Sequence, residues 1–216
     1  MAKYSYEWTD NCYLTPPSLI NGGLKLLSQL KGEATIGKFD LDVCCSNKNI
    51  PAEKYFTFPD HDGLKEDWKE FNWCNPPFDQ CNFWVKKAYA EQQAGKTTIM
   101  LIPVRTETKY YHDYILYNKD VDIHWLRKGF KFLDAKTKEE SGIFKNALAY
   151  IVFKGKNVSQ EKTDLAAWIK QRLIAFTKEE AIEKFLDILS VDECKEVLRT
   201  LPLKDFDEEL EQVLEL

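Results

Sequence analysis

The segment "TTIMLIPV" (residues 97–104) constrains the fold of this chain more than any other. It is a nearly continuous apolar run, too short for a membrane-spanning helix, and such runs are typical of strands buried on both faces. Two shorter strand-like segments, 38–45 and 71–74, precede it, and helix-periodic segments occupy 15–30 and 78–95. This alternation predicts an α/β fold with a mostly parallel sheet whose faces are covered by helices.

The segments around these elements complete the predicted domain. Residues 46–61 contain prolines and little periodicity, so we expect a loop there, and we expect a short turn or helix over 62–70. Residue patterns further along predict one more helix and then three strands, at 107–118, 121–126, 129–134 and 146–155.

The character of the chain changes after residue 155. From there to the end, apolar residues recur at helical spacing between many charges, which predicts three or four helices. We therefore expect a domain at 1–155 and a helical C-terminal extension at 156–216 that covers its own sheet or contacts a partner or a second copy.

Composition excludes some classes of protein. The net charge of −5 is not typical of a non-specific nucleic-acid binder, although a basic face can lie on an acidic protein. No apolar stretch has the length of a membrane span or of a signal-peptide core, so we expect a cytoplasmic protein. Six cysteines without a CxxC pair and three scattered histidines predict reduced thiols and no metal site.

The tetrapeptide Asn75-Pro76-Pro77-Phe78 follows the strand at 71–74 directly. Ligands of open α/β sheets lie beyond the carboxyl ends of the strands, where this tetrapeptide is expected. The two prolines fix the backbone and remove two N–H donors, which leaves carbonyl and amide oxygens as acceptors for a planar –NH2 group. Phe78 offers a ring on which a flat heterocycle can stack. The alternative is a turn before a helix, with Phe78 in the core.

Several landmarks in a fixed order accompany this motif, which resembles the [D/N/S]PP[Y/F/W] motif of amino-methyltransferases. They are "YLTPPSL", "FDLDVCCS", "FTFPDHDGLKEDW" with "FNWCNPPF", "MLIPVRTET", "WLRKGFKF" and "ALAYIVF". Together they resemble the phage-type DNA N-6-adenine methyltransferase family (Dam-like) over about residues 8–153. The resemblance implies a reduced Rossmann-like methyltransferase fold and S-adenosylmethionine as the methyl donor, without a metal.

The resemblance also implies roles for two segments near the cofactor's methionine part. Thr15 and Pro16 match the element that lines its pocket. Thr15 could at the same time cap the following helix, with Pro16 in its first turn. Asp42 matches the acidic residue at the end of the first strand, although it could simply cap a loop. The next residues, 44–46, are Cys-Cys-Ser where such folds commonly carry glycines, which is a departure from the pattern.

Two further carboxylates are expected at the adenosine part of the cofactor. Asp62 resembles the residue that accepts a hydrogen bond from the adenine amine, with Asp60 as a competitor and an Asp-Gly turn as the alternative. The strand that would precede the ribose site is expected to be short or missing. Glu53 is our candidate for the ribose hydroxyls.

These implications predict site-specific transfer of a methyl group to N6 of an adenine that has left the DNA duplex stack. The alternatives are a methyltransferase for cytosine N4, an RNA base or a protein glutamine, and a catalytically silent DNA-binding decoy. In each case we expect the protein to act in a bacterial host cell, with a phage or mobile element as a potential source of its gene. Two basic segments after predicted strands are candidates for phosphate contacts, unless they are merely solvated turns: Arg105, Lys109, Arg127, Lys128 and Lys131.

Overall fold

The computed structural model describes residues 13–127, 129–134, 137 and 139–156. Lys128 and residues 157–216, which include nearly all of the expected C-terminal extension, lie outside this part of the chain. The described elements are β1 (Tyr13–Leu14), α1 (Pro17–Lys31), β2 (Phe39–Asp42), β3 (Ala52–Tyr55), β4 (Phe71–Cys74), α2 (Cys81–Gln93), β5 (Thr97–Pro103), α3 (Lys109–Tyr111) with a π-helical continuation (His112–Leu116), β6 (Val121–Trp125), β7 (Lys131–Asp134), β8 (Glu140–Ile143) and β9 (Leu148–Phe153).

The main sheet has six strands in the order β3-β2-β4-β5-β9-β6. The first four strands of this order are parallel, and β9 is antiparallel to both of its neighbours, β5 and β6. The expectation of a mostly parallel sheet is therefore confirmed. Because β2, β4 and β5 run in the same direction, the residues that follow them meet at one edge of the sheet.

Helices cover both faces of this sheet, as expected. On one face, Leu19 and Leu27 of α1 pack with the sheet residues Phe39 and Trp73. On the other face, α2, α3 and its continuation pack against the sheet, with Trp84 of α2 fully buried. All residues of β4, β5 and β9 are buried, which explains why their sequences are almost continuously apolar.

Two glycines within α1 are explained by close packing rather than by helix propensity. A Cβ atom on Gly23 would collide with the Trp73 ring, and one on Gly22 would collide with the Tyr150 hydroxyl. Tyr150 also donates a hydrogen bond of 2.7 Å from its hydroxyl to the Leu19 carbonyl. The helix therefore lies close to the sheet only because these two positions carry no side chain.

Some expected elements differ in the structure. Residues 46–61 are not entirely loop, because they contain β3, a four-residue edge strand whose side chains are largely exposed and show no apolar pattern. The helix expected at 107–118 is confined to 109–116 and is mostly π-helical. Helix α2 begins at Cys81, later than expected, and ends at Gln93, two residues before Gly95, whose φ is 89°.

A second, smaller sheet was not foreseen. It has the order β1-β7-β8, is antiparallel, and joins the segment before α1 to the strand expected at 129–134. Strand β8 has the sequence "ESGI", which has no strand-like alternation, and β1 has only two residues. Their pairing with β7 is a tertiary effect that local patterns do not reveal.

Candidate active site

A cavity of about 290 Å³ lies at the carboxyl ends of β2, β4 and β5. The main sheet and the residues that follow its strands form one wall. Thr15, in the segment before α1, forms a second, and the small sheet with the residues that follow β8 forms the third. The lining residues are Thr15, Asp42, Cys44, Ser46, Asn49, Ile50, Trp73, Asn75, Pro76, Pro77, Phe78, Asp79, Arg105, Phe132, Phe144 and Asn146. All four residues of the predicted catalytic tetrapeptide therefore face one cavity, together with Thr15 and Asp42.

Asn75 is the first residue after β4, and its carboxamide has two different ends. The Nδ2 atom donates a hydrogen bond of 3.0 Å to the Thr15 hydroxyl. The Oδ1 atom is buried and has no hydrogen-bond partner among the described residues. A buried acceptor without a partner is costly, so this oxygen marks a place where a ligand can donate a hydrogen bond.

The expected helix cap at Thr15 is wrong. Helix α1 has Pro16 at its N-cap position and no side-chain cap, because the Thr15 hydroxyl is turned to Asn75 instead. Pro16 is buried beside the cavity without being one of its lining residues, and its carbonyl accepts from the amides of Leu19 and Ile20.

Phe78 lies between the main sheet and the small sheet. Its ring centroid is 5.8 Å from that of Phe132 and 5.3 Å from that of Phe144, both in angled geometries. We call these three residues the ring cluster. The Phe78 carbonyl accepts a hydrogen bond of 3.2 Å from Nη1 of Arg105, which follows β5 and lines the cavity. Arg105 thus fixes the backbone of the tetrapeptide.

Asp42 is the last residue of β2 and is only 3% exposed. Burial raises the pKa of its carboxyl from 3.8 to about 7, against hydrogen bonds from the Cys44 amide and the Cys45 side chain. The carboxylate therefore caps the following loop, as the alternative reading has it, and also lines the cavity. A buried carboxylate of this kind is well suited to a ligand that carries a positive charge.

The loop after β2 lacks glycines. The glycine that lets another backbone segment pack closely against this loop is Gly63. A Cβ atom on Gly63 would collide with the Val43 carbonyl and would crowd the Trp84 ring. Within the loop, Lys48 adopts a positive φ of 57° without being glycine. Asn49 donates from Nδ2 to the Thr15 carbonyl over 3.1 Å, which ties the loop to the start of the chain.

The structure does not bring Asp62 or Glu53 to the cavity. The Asp62 carboxylate accepts from the Leu64 amide and pairs with Lys65 at 2.9 Å, so it serves the Asp-Gly turn that was the alternative reading. Glu53 lies on the edge strand β3 and pairs with Lys38 at 2.9 Å on the surface. The competitor Asp60 is exposed and is not a lining residue either.

The predicted DNA-binding cations have different surroundings. Lys109 pairs with Asp113 at 2.8 Å, and Lys131 pairs with Glu140 at 2.8 Å, so their charges are partly compensated. Arg127 is exposed just after β6. Arg105 is half-buried in the cavity wall, and Lys128 lies outside the described residues.

Sequence reasoning missed several lining residues. Trp73 is fully buried, yet its indole Nε1 has no hydrogen-bond partner in the described part of the chain. Phe132 belongs to the basic, aromatic segment that drew attention only for its charges, and Phe144 and Asn146 follow an unpredicted strand. The aromatic content of 130–144 was the one signal that pointed to this wall.

The described residues show neither a metal site nor a membrane-spanning helix. No group of three or more His, Cys, Asp or Glu side chains in 13–156 is arranged to hold a metal ion, with the gaps stated above. None of the described helices has the length and apolar character needed to cross a membrane.

The chain is similar to known proteins of one family. The profile of the family described as "DNA N-6-adenine-methyltransferase (Dam)" matches residues 24–179, which is more than half of the chain. A relative from Escherichia phage T1, named DNA N-6-adenine-methyltransferase, is 31% identical over 81 residues, or 37% of this chain and 34% of that protein. The chain thus covers about a third of that relative's length. The family match runs beyond residue 155, and on its strength the chain belongs to the DNA N-6-adenine-methyltransferase (Dam) family.

Proposed function

We propose that this protein is a site-specific DNA methyltransferase that transfers a methyl group from S-adenosylmethionine to N6 of an adenine flipped out of the duplex. The family membership supports the reaction class. The observation that carries the proposal is the buried Oδ1 of Asn75, which has no hydrogen-bond partner among the described residues and belongs to a residue that lines the cavity beside Phe78. An exocyclic amine is the substrate group that such an acceptor and such a ring can hold together.

The fold proposed here is the Rossmann-like methyltransferase fold in a reduced form. In support, a four-stranded parallel block is extended by one antiparallel strand, β9, and then by β6. The site lies where such folds bind ligands, beyond the carboxyl ends of the parallel strands. Strand β3 has only four residues, in agreement with the expectation of a short strand there.

The cavity residues fit S-adenosylmethionine. The buried Asp42 carboxylate suits a positively charged methionine part, and Thr15, next to the buried Pro16 in the chain, lines the same cavity. When bound, this cofactor would supply an electrophilic methyl group. Asp62 and Glu53 contact other protein groups away from the cavity, so we do not assign the adenosine part to them.

The chain's own residues would act mainly by position. Oδ1 of Asn75, with the Pro76 carbonyl, would accept hydrogen bonds from the adenine amine and leave its lone pair available for attack. The cofactor held beside Thr15 and Asp42 would supply the methyl group to this nitrogen and leave as the demethylated thioether, and the proton lost from the amine would pass to solvent. Phe78 would stack on the base, while the proline-fixed backbone and the bond from Arg105 keep that ring in place.

DNA would approach from the side of the small sheet. Arg127 is exposed near this edge, and Lys109 and Lys131 are exposed but paired, so DNA phosphates would compete with Asp113 and Glu140 for them. We propose Arg127, Lys128, Lys131 and Lys109 as phosphate contacts and Arg105 as a residue of the cavity wall. A DNA substrate would place the protein in the cytoplasm of a bacterial host.

The proposal is tested by methyl transfer from labelled S-adenosylmethionine to three acceptors: unmethylated double-stranded DNA, RNA and a protein extract. We expect label in DNA, recovered as N6-methyladenine after digestion. Recovery as N4-methylcytosine, or label only in RNA or protein, would contradict the proposal and favour the alternative methyltransferases. Cofactor binding without label in any acceptor would favour the catalytically silent decoy.

A further inference from the structure

We propose that Thr15 is a positioning residue for Asn75. Its hydroxyl holds the Asn75 carboxamide so that the oxygen, and not the –NH2 group, faces the amine to be methylated. This inference rests on the proposed function and adds a second role to a residue otherwise assigned to the cofactor pocket.

The contact between these residues joins chain segments 60 positions apart. Nδ2 of Asn75 donates to Oγ1 of Thr15 at 3.0 Å, and Oδ1 is left buried and without a partner in the described residues. The opposite orientation would present two N–H donors to an amine whose own hydrogens are also donors. Only the carboxamide orientation in which Nδ2 of Asn75 donates to Thr15 leaves Oδ1 as an acceptor for the substrate.

Thr15 is itself held by three elements. Its neighbour Leu14 pairs with Leu133 of the small sheet, and Pro16 begins the turn into α1. The carbonyl of Thr15 accepts a hydrogen bond from Asn49 of the loop after β2, and Thr15 is only 2% exposed. The hydroxyl therefore has a fixed position relative to β4, as a positioning group needs.

The arrangement also distinguishes this role from a purely cofactor-binding one. A residue that only lines the methionine pocket would change cofactor affinity when altered. A residue that orients Asn75 would change the rate of transfer at saturating cofactor and leave cofactor affinity nearly intact.

The test compares Thr15→Val, which keeps the shape and removes the hydroxyl, with Thr15→Ser, which restores the hydroxyl. The control is Ser18→Ala, because Ser18 is exposed three residues further along and loses the same group. We expect Thr15→Val to lower kcat on DNA roughly 10- to 100-fold, as misplacement of a reacting group does, with Thr15→Ser and Ser18→Ala near wild type. Affinity for S-adenosylhomocysteine, measured by calorimetry, should change less than about twofold on this account.

Two results would overturn the inference: an unchanged kcat in Thr15→Val, or a loss confined to cofactor affinity. A second measurement does not depend on activity. The decrease in melting temperature is measured for Thr15→Val, for Asn75→Ala and for the double variant. If the two side chains bond to each other, the decrease in the double variant should be smaller than the sum of the two single decreases. A decrease equal to that sum would contradict the contact. If the wild type does not methylate DNA adenine, the proposed function and this role both fall, even where the melting temperatures show coupling.

Discussion

The cavity around Asn75 and the open groove beside β3 lie on the same molecule and differ in how their polar groups are used. The groove, lined by residues such as Lys48, Glu53 and Glu66, is the larger space, about 810 Å³ against about 290 Å³. Two of its carboxylates are paired near the surface: Glu53 with Lys38 at 2.9 Å and Glu66 with His61 at 3.0 Å. In the cavity, by contrast, Oδ1 of Asn75 is buried and unpaired within the described chain.

This difference favours the smaller cavity over the larger groove as the candidate site. Exposed ion pairs contribute little energy and are satisfied without a ligand. A buried acceptor without a partner and a buried carboxyl with a raised pKa are both unfavourable in the absence of a ligand. Ligand binding should therefore relieve more unfavourable free energy in the cavity than in the groove.

The largest effect is expected from Asn75→Ala, which removes the unpaired acceptor. The rate of methyl transfer should fall roughly 10²- to 10³-fold, the usual loss when a single polar group at a reacting centre is deleted. Affinity for S-adenosylhomocysteine should be largely kept, which calorimetry can check. Gln93→Ala, at an exposed amide on α2, is the matched control. An equal loss of rate and cofactor affinity would count against the role given to Asn75.

The next largest effect is expected from Phe78→Ala. Stacking on an aromatic ring contributes about 1–3 kcal/mol per base, so kcat/KM for DNA should fall roughly 5- to 150-fold. Phe78→Tyr keeps the ring and should stay near wild type in steady-state kinetics. If Phe78→Ala lowers only the melting temperature, the ring serves the core and the ring cluster rather than the base.

A pH-dependent effect is expected from Asp42. Its carboxyl has a pKa raised from 3.8 to about 7 by burial, and a cationic ligand favours the ionised form. Cofactor affinity should therefore rise with pH up to and just above 7. Asp42→Asn should remove this dependence and weaken binding roughly 10-fold at pH 8. An unchanged pH profile in calorimetric titrations would exclude Asp42 as the titrating group.

Asp42 should also make the stability of the cofactor-free protein depend on pH. Stability should fall as the pH rises, whereas cofactor affinity should increase. Because the folded protein binds the Asp42 proton more tightly than the unfolded chain, Asp42 adds stability below about pH 4 that is lost as the pH rises through about 7. Asp42→Asn should flatten this part of the pH dependence of the free energy of unfolding, measured by denaturant titration without cofactor. A slope equal to that of the wild type would contradict the buried, titrating carboxyl.

The smallest effect is expected in the groove, from Glu53→Gln. This change removes one member of an exposed ion pair with Lys38, so cofactor affinity should change less than about twofold and the melting temperature should stay near that of the wild type. Calorimetry and thermal unfolding check both. A large loss of cofactor affinity would restore Glu53 as the ribose-binding residue and would break the contrast between the two regions.

The two regions also differ in how well the sequence predicts them. Strands such as β4 and β5 are buried on both faces, so their apolar runs identified them correctly. Strand β3, at the exposed edge beside the groove, has the sequence "AEKY" and was taken as part of a loop. Strand β8 was missed as well, because its only described partner is β7 and its sequence has no apolar alternation.

The candidate site was predictable where its chemistry is local. The tetrapeptide that begins at Asn75 is contiguous and follows a readable strand, so its place at the sheet edge followed from the pattern. The bond from Asn75 to Thr15 and the ring contact between Phe78 and Phe144 join segments far apart in the chain, and no local signal encodes them. The role expected for Asp62 stays a prediction, because the structure shows only that an Asp-Gly turn uses its carboxylate locally.

The most direct test of the contrast is a crystal structure of the protein with S-adenosylhomocysteine. We predict that the ligand's homocysteine part occupies the cavity, with its sulfur atom toward Asn75 and its ammonium group near Asp42, and that the groove beside Glu53 stays empty. Ligand bound in the groove, with the cavity empty, would contradict the assignment of the cavity as the site of methyl transfer.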